Sequence, residues 1–110
     1  MPTTYKVLAQ SAPSATTNTD IYTVPANTQA VVSTIVVANR AATAATYRIA
    51  VRLNGATLAN QHYIAYDVTV GASDSTTITI GITLDPAEII TVYGSTANLS
   101  FNIFGAEITP

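Results

Sequence analysis

The feature that most constrains this chain is an alternation of apolar and polar residues with a period of two. It is clearest in STTITIGITL, where Thr76, Ile78, Ile80, Ile82 and Leu84 share one face and Thr77, Thr79, Gly81 and Thr83 share the other. Successive side chains of an extended strand point to opposite sides, so this pattern describes a strand with one buried face. A helix would scatter the same isoleucines around its circumference. The rhythm recurs in TYRIAVRLN, with Tyr47, Ile49, Val51 and Leu53 against Arg48, Ala50 and Arg52. In YIAYDVTV it sets Ile64, Tyr66, Val68 and Val70 against Tyr63, Ala65, Asp67 and Thr69. In TANLSFNIF it sets Ala97, Leu99, Phe101 and Ile103 against Asn98, Ser100 and Asn102.

Less regular runs complete the set. Residues 29–39, QAVVSTIVVAN, are apolar on both sides and read as a central or doubly covered strand. Ile89, Ile90, Val92 and Tyr93 form a short candidate after Asp85-Pro86, and residues 4–8 and 20–24 add two more. Residues 41–46 are Ala-rich, but too short and Thr-laden to nucleate a helix. Asn54-Gly55 suits a tight reversal because both residues tolerate positive φ. Gly71 to Asp74, Asp85-Pro86 and Gly94-Ser95 supply further breaks. A chain of 110 residues holds one domain. The expectation is an all-β protein: a single-domain antiparallel β-sandwich over residues 1–110, of about eight strands, in jelly-roll or immunoglobulin-like order. The low-complexity stretch AQSAPSATTN, residues 9–18, reads either as a surface loop of that domain or as the tether of an N-terminal arm. Such an arm, within residues 1–19, would add its strand to a neighbour's sheet.

Composition narrows the function classes. Charged residues are 9% of the chain, against about 25% in ordinary soluble domains, and Thr, Ala, Ser and Asn take their place. A net charge of −2 offers no electrostatic footprint for nucleic acid or for an anionic membrane. No window approaches 18 uninterrupted apolar residues, so no helical membrane span is expected. The opening MPTTYKVLAQ lacks the basic head and apolar run of a secretory signal, which gives the expectation of a chain made and used without that route. With no Cys, neither disulfides nor a thiolate nucleophile are available.

Catalytic chemistry needs convergent titratable groups, and these are sparse. His62 is the sole imidazole, without a second His or a Cys to share a metal. Asp20, Asp67, Asp74, Asp85, Glu88 and Glu107 are dispersed, with Asp74 and Asp85 at turns, where Asp serves as a local acceptor. A triad of Ser, His62 and Asp67 lacks any nucleophile elbow or oxyanion loop. No enzyme activity, cofactor or metal is expected. Arg40, Arg48 and Arg52 hold three of the four basic residues, and read either as a solvated face with cross-strand acids or as a patch for an acidic partner. Tyr63 and Phe104 fall on outward faces, where aromatics can mark a contact surface. The outer faces carry little of the Lys and Glu that ordinarily guard sheet edges, which points to a subunit covered by companions.

MPTTYKVLAQSAP, TYRIAVRLNG, HYIAYDV and NLSFNIFGAEI together make the chain resemble small virion structural proteins of tailed bacteriophages, especially those infecting cyanobacteria. The resemblance covers nearly the whole chain and implies a capsid decoration or cement protein, made in the host cytoplasm and placed on the capsid surface. It implies the major capsid protein as partner and self-association, as a homotrimer, with no nucleic acid or membrane. A tail, neck or baseplate accessory or fibre protein, with a receptor- or glycan-binding surface, is the alternative. The residues expected to bind partners are Thr3, Thr4, Tyr5, Lys6, Val7 and Leu8 of the arm, with Arg48, Arg52 and Tyr63.

Overall fold

The alternating segments all become strands. A computed structural model describes residues 2–54 and 56–110. It contains β1 (Thr3–Ser11), β2 (Thr19–Thr23), β3 (Gln29–Asn39), β4 (Ala45–Arg52), β5 (Tyr63–Val70), β6 (Ser75–Leu84), β7 (Ile89–Gly94) and β8 (Leu99–Ile108). Sheet I has the order β1-β8-β3-β6 and sheet II the order β2-β7-β4-β5. Every pairing is antiparallel: β1 with β8, β2 with β7, β3 with β6 and β4 with β5, while β3–β8 and β4–β7 join these pairs into sheets. The chain is therefore one long hairpin with its tip between β4 and β5, wrapped so that successive pairs alternate between sheets. This is the jelly-roll order, which decides between the two sandwich topologies the sequence leaves open.

The inward face of each central strand supplies the core. Val32, Ile35 and Val37 of β3, Leu99, Phe101 and Ile103 of β8, Tyr47 and Ile49 of β4, and Ile90 and Val92 of β7 are all buried. Each such side chain contributes about 1.5–3 kcal/mol by leaving water. Tyr47 and Phe101 meet across the two sheets edge to face, ring centres 6.3 Å apart at 77°. Asn39, also buried, ties the sheets together at one end. Its Nδ2 shares its hydrogens among the carbonyls of Thr43 (2.8 Å), Gly71 (3.2 Å) and Val70 (3.3 Å), and its Oδ1 accepts from the Ala41 N–H at 3.0 Å.

Sheet I is bulged along a line that crosses all four strands. The register shifts between Val7 and Ala9 on β1, and between Val32 and Thr34 on β3 toward both of its neighbours. The extra residue on β1 lets both Leu8 and Ala9 reach the core. Gly105 of β8 lies on this line. A Cβ there would fall inside contact distance of the Val31 carbonyl oxygen and 3.1 Å from Leu8 Cδ1.

Several sequence expectations are corrected. β5 does not keep the face Ile64, Tyr66, Val68, Val70 buried: Asp67 adopts φ 52°, the pairing with β4 shifts register, and Ala65 packs on the core instead. Ile64 and Tyr66 are left exposed, because one extra residue reverses the parity of a strand, whereas Val68, opposite buried Tyr47, keeps to the core side and is exposed at the open edge of the sheet. Leu53 is exposed, since β4 ends at Arg52. The strand at residues 4–8 extends to Ser11, into the low-complexity stretch, and pairs with β8 of its own chain. β8 starts at Leu99, not Ala97, and runs on to Ile108. A short 3-10 turn, Asn60–His62, precedes β5. The reversal expected at Asn54-Gly55 falls on Gly55, which lies outside the described residues.

Candidate interaction surface

The outer face of sheet I carries an apolar patch. Tyr5 is 84% exposed, Val7 45% and Phe104 36%. Val7 opposes Phe104 and Tyr5 opposes Ala106, which in turn opposes Val31 on β3, so the patch follows neighbouring cross-strand positions over three strands. With Ser33 at the bulge these residues line a shallow groove of about 580 Å³. Of the arm residues expected to bind partners, Thr3, Thr4, Tyr5, Lys6 and Val7 are exposed, whereas Leu8 is turned into the core and cannot serve as a contact.

β1 is fastened to the body by a three-residue relay. Lys6 Nζ lies 3.1 Å from Glu107 Oε1, and the Tyr22 hydroxyl donates to Glu107 Oε2 at 2.6 Å, linking β1 and β8 to β2 of the other sheet. The Tyr22 hydrogen bond holds the Glu107 carboxyl below its ordinary value, against the opposing effect of burial, and Lys6 adds to the depression. Burial, followed by the Glu107 carboxylate, pushes the Tyr22 hydroxyl well above the usual phenol range.

The outer face of sheet II is polar and aromatic. Arg48 lies between the rings of Tyr66 and Tyr93, 4.3 and 4.1 Å from their centres, and its Nε donates to Asp67 Oδ1 at 2.7 Å. That hydrogen bond raises the guanidinium pKa further. Tyr63 meets Tyr66 edge to face at 4.9 Å, and with Asn60 the two rings line a hollow of about 520 Å³. Arg52 is fully engaged: Nη2 to Asp20 Oδ1 (2.7 Å), Nε to Thr91 Oγ1 (3.1 Å) and Nη1 to the Ala56 carbonyl (2.9 Å). Arg40 lies apart from both, donating to Ser100 Oγ and the Ala97 carbonyl. The arginines thus form two cross-strand ion pairs and one loop tie, and they do not converge on one basic patch.

Tyr66 is the residue that the alternating pattern misplaces. The one signal for it is Asp67, an acid in mid-strand that tolerates the left-handed conformation a bulge requires. His62 closes its own turn: its N–H donates to the Ala59 carbonyl at 3.1 Å and its Nδ1 accepts from the Ala59 N–H at 2.9 Å. Among the described residues, no three His, Asp or Glu side chains stand close enough to hold a metal ion, and no helix is long and apolar enough to cross a membrane. No family model matches the chain, and no curated protein matches it.

Proposed function

We propose that this protein is a non-enzymatic virion structural subunit, a decoration or cement protein that binds across junctions of the major capsid protein and stabilises the head. The observation that carries the reading is the patch of Tyr5, Val7 and Phe104, contiguous and apolar over neighbouring cross-strand positions on the outer face of sheet I. Burying that face against a capsid seam adds contact area on both sides of it, and mass action then opposes shell opening. Jelly-roll sandwiches serve in viral capsids, which agrees with the reading by analogy of fold alone. The test is attachment of purified protein to heads that lack it. The double variant Tyr5→Ser, Phe104→Ser folds normally and loses attachment; retained attachment refutes the assignment of this face. Copy number in purified particles, on the order of hundreds for a shell-lattice protein, tests the location.

The second reading is a tail, neck or baseplate accessory with a glycan- or receptor-binding surface, favoured by the Tyr63, Tyr66 and Asn60 hollow beside Arg48. Jelly rolls also serve as lectin domains. Tens of copies or fewer per particle, with binding abolished by Tyr66→Ala, would select it.

A further inference from the structure

A sandwich of two open sheets has four edge strands, and here three of them are guarded. β1 carries Lys6 and the bulge at Leu8. β2 is five residues long, carries Asp20 and shifts register beside it. β5 carries Asp67 in the left-handed region and an irregular ladder. β6 differs: its ten residues, STTITIGITL, include no charge. Its pairing with β3 is regular from Ser75 through Thr79, with the bulge confined to the far side of Thr79. A long, uncharged, regular edge presents a row of unpaired backbone groups ready to accept another strand.

The core side of β6 is also incompletely covered. β1 packs against β2, while β5 packs over β3, so β6 overhangs the edge of sheet II. Ile78, Ile80 and Ile82 are only half-buried and Val68 on β5 is 39% exposed, whereas Val32, Ile35 and Val37 on the neighbouring β3 are fully enclosed.

We propose that β6 is a self-pairing edge, through which two copies of this chain join their first sheets into one continuous eight-stranded sheet. A period-two strand is complementary to itself when paired antiparallel about a two-fold axis, because the pairing keeps core-facing residues opposite core-facing residues. Centred on Thr77, the contact sets Thr77 against Thr77, Thr76 against Ile78 and Ser75 against Thr79. Ile78 of the two copies become diagonal neighbours on the core side. Nothing charged meets its like in this segment, and Asp85 falls outside it. Each copy has one such edge, so the contact is isologous and closes at two. The three-fold arrangement that the phage resemblance implies would need a different surface. This inference extends the assembly reading above without depending on the capsid.

The test uses the full chain in sedimentation velocity and light scattering, up to about 100 µM, a range in which weak isologous contacts populate. The wild type forms a two-copy species, and the β6 amides gain hydrogen-exchange protection as concentration rises. Thr77→Lys and Thr77→Glu each weaken association by about tenfold or more, because like charges then face each other across the axis. Mixing the two variants restores the two-copy species, and unchanged circular dichroism shows that neither is misfolded. A wild type that stays single, a three-copy species, or association indifferent to both variants overturns the inference. Attachment to heads without pairing would defeat this inference alone, and pairing without attachment would defeat the proposed function alone.

Discussion

Gly81, Gly94 and Gly105 offer the same substitution, Gly→Ala, in three surroundings of one sandwich. At Gly105 the added methyl would enter the Val31 carbonyl oxygen and stand 3.0 Å from its carbon and 3.1 Å from Leu8 Cδ1. Val31 belongs to β3, held between β8 and β6, so backbone as well as a side chain must move. Overpacking costs about 1–3 kcal/mol, and a backbone clash on the line of bulges places Gly105→Ala at the upper end, about 3 kcal/mol. At Gly94 the methyl meets the Thr96 backbone carbonyl oxygen at 3.0 Å and Leu99 Cδ1 at 3.1 Å, tight contacts that a shift of a few tenths of an ångström relieves, for an intermediate cost of about 1–2 kcal/mol. At Gly81 it meets nothing within 4 Å, and removing a glycine from the unfolded ensemble stabilises by about 0.4–1 kcal/mol. With roughly 4–8 °C of Tm per kcal/mol in a domain of this size, Gly105→Ala melts about 12–24 °C lower and Gly81→Ala a few degrees higher. Urea unfolding at one fixed protein concentration reads the series, by circular dichroism or by fluorescence of the six tyrosines in this Trp-free chain. A Gly105→Ala protein as stable as the wild type, or Gly81→Ala equally damaged, would refute the close-approach reasoning.

Two further perturbations test the polar ties. Asn39→Ala leaves buried carbonyls at the β3–β5 end without their donor and costs about 2 kcal/mol in urea denaturation; a loss below half that would mean water replaces the amide. Glu107 carries a depressed pKa in the folded state, so its contribution to stability is present above the ordinary carboxylate value and is lost as pH falls through the lower folded-state value. The stability difference between wild type and Glu107→Gln is therefore constant at neutral pH and shrinks toward zero in acid, where both carry a neutral side chain. A difference that grows on acidification would show that the Tyr22–Glu107–Lys6 relay is misassigned. The surface variants at Tyr5 with Phe104, and at Thr77, complete the set with their assays given above.

β1 changes what an N-terminal arm can mean for this protein. Its backbone completes the β8 edge and its Leu8 and Ala9 pack on the core, so cutting it away would bare a ladder and open the sandwich. Point substitutions on its outer face separate contact from folding, which a truncation cannot do.

The alternation in residues 76–84 and 99–103 was enough to specify strands and their core-facing residues, because a period of two can be satisfied only by an extended chain with one face out of water, and with the apolar run at 29–39 it specified an all-β sandwich. That the arginines could meet cross-strand acids was likewise legible, though only the fold shows that Asp67 is the partner of Arg48. Which strand lies beside which was not, since every alternating strand is compatible with every other; the jelly-roll order emerged only when β1 met β8 and β3 met β6. Nor was the outward turn of Tyr66, which follows from the bulge at Asp67 in β5, or the stacking of Arg48 between that ring and Tyr93, which lies opposite it on β7. Local periodicity encodes the side a residue prefers; only the assembled sheets, through register and bulge, decide which side it receives.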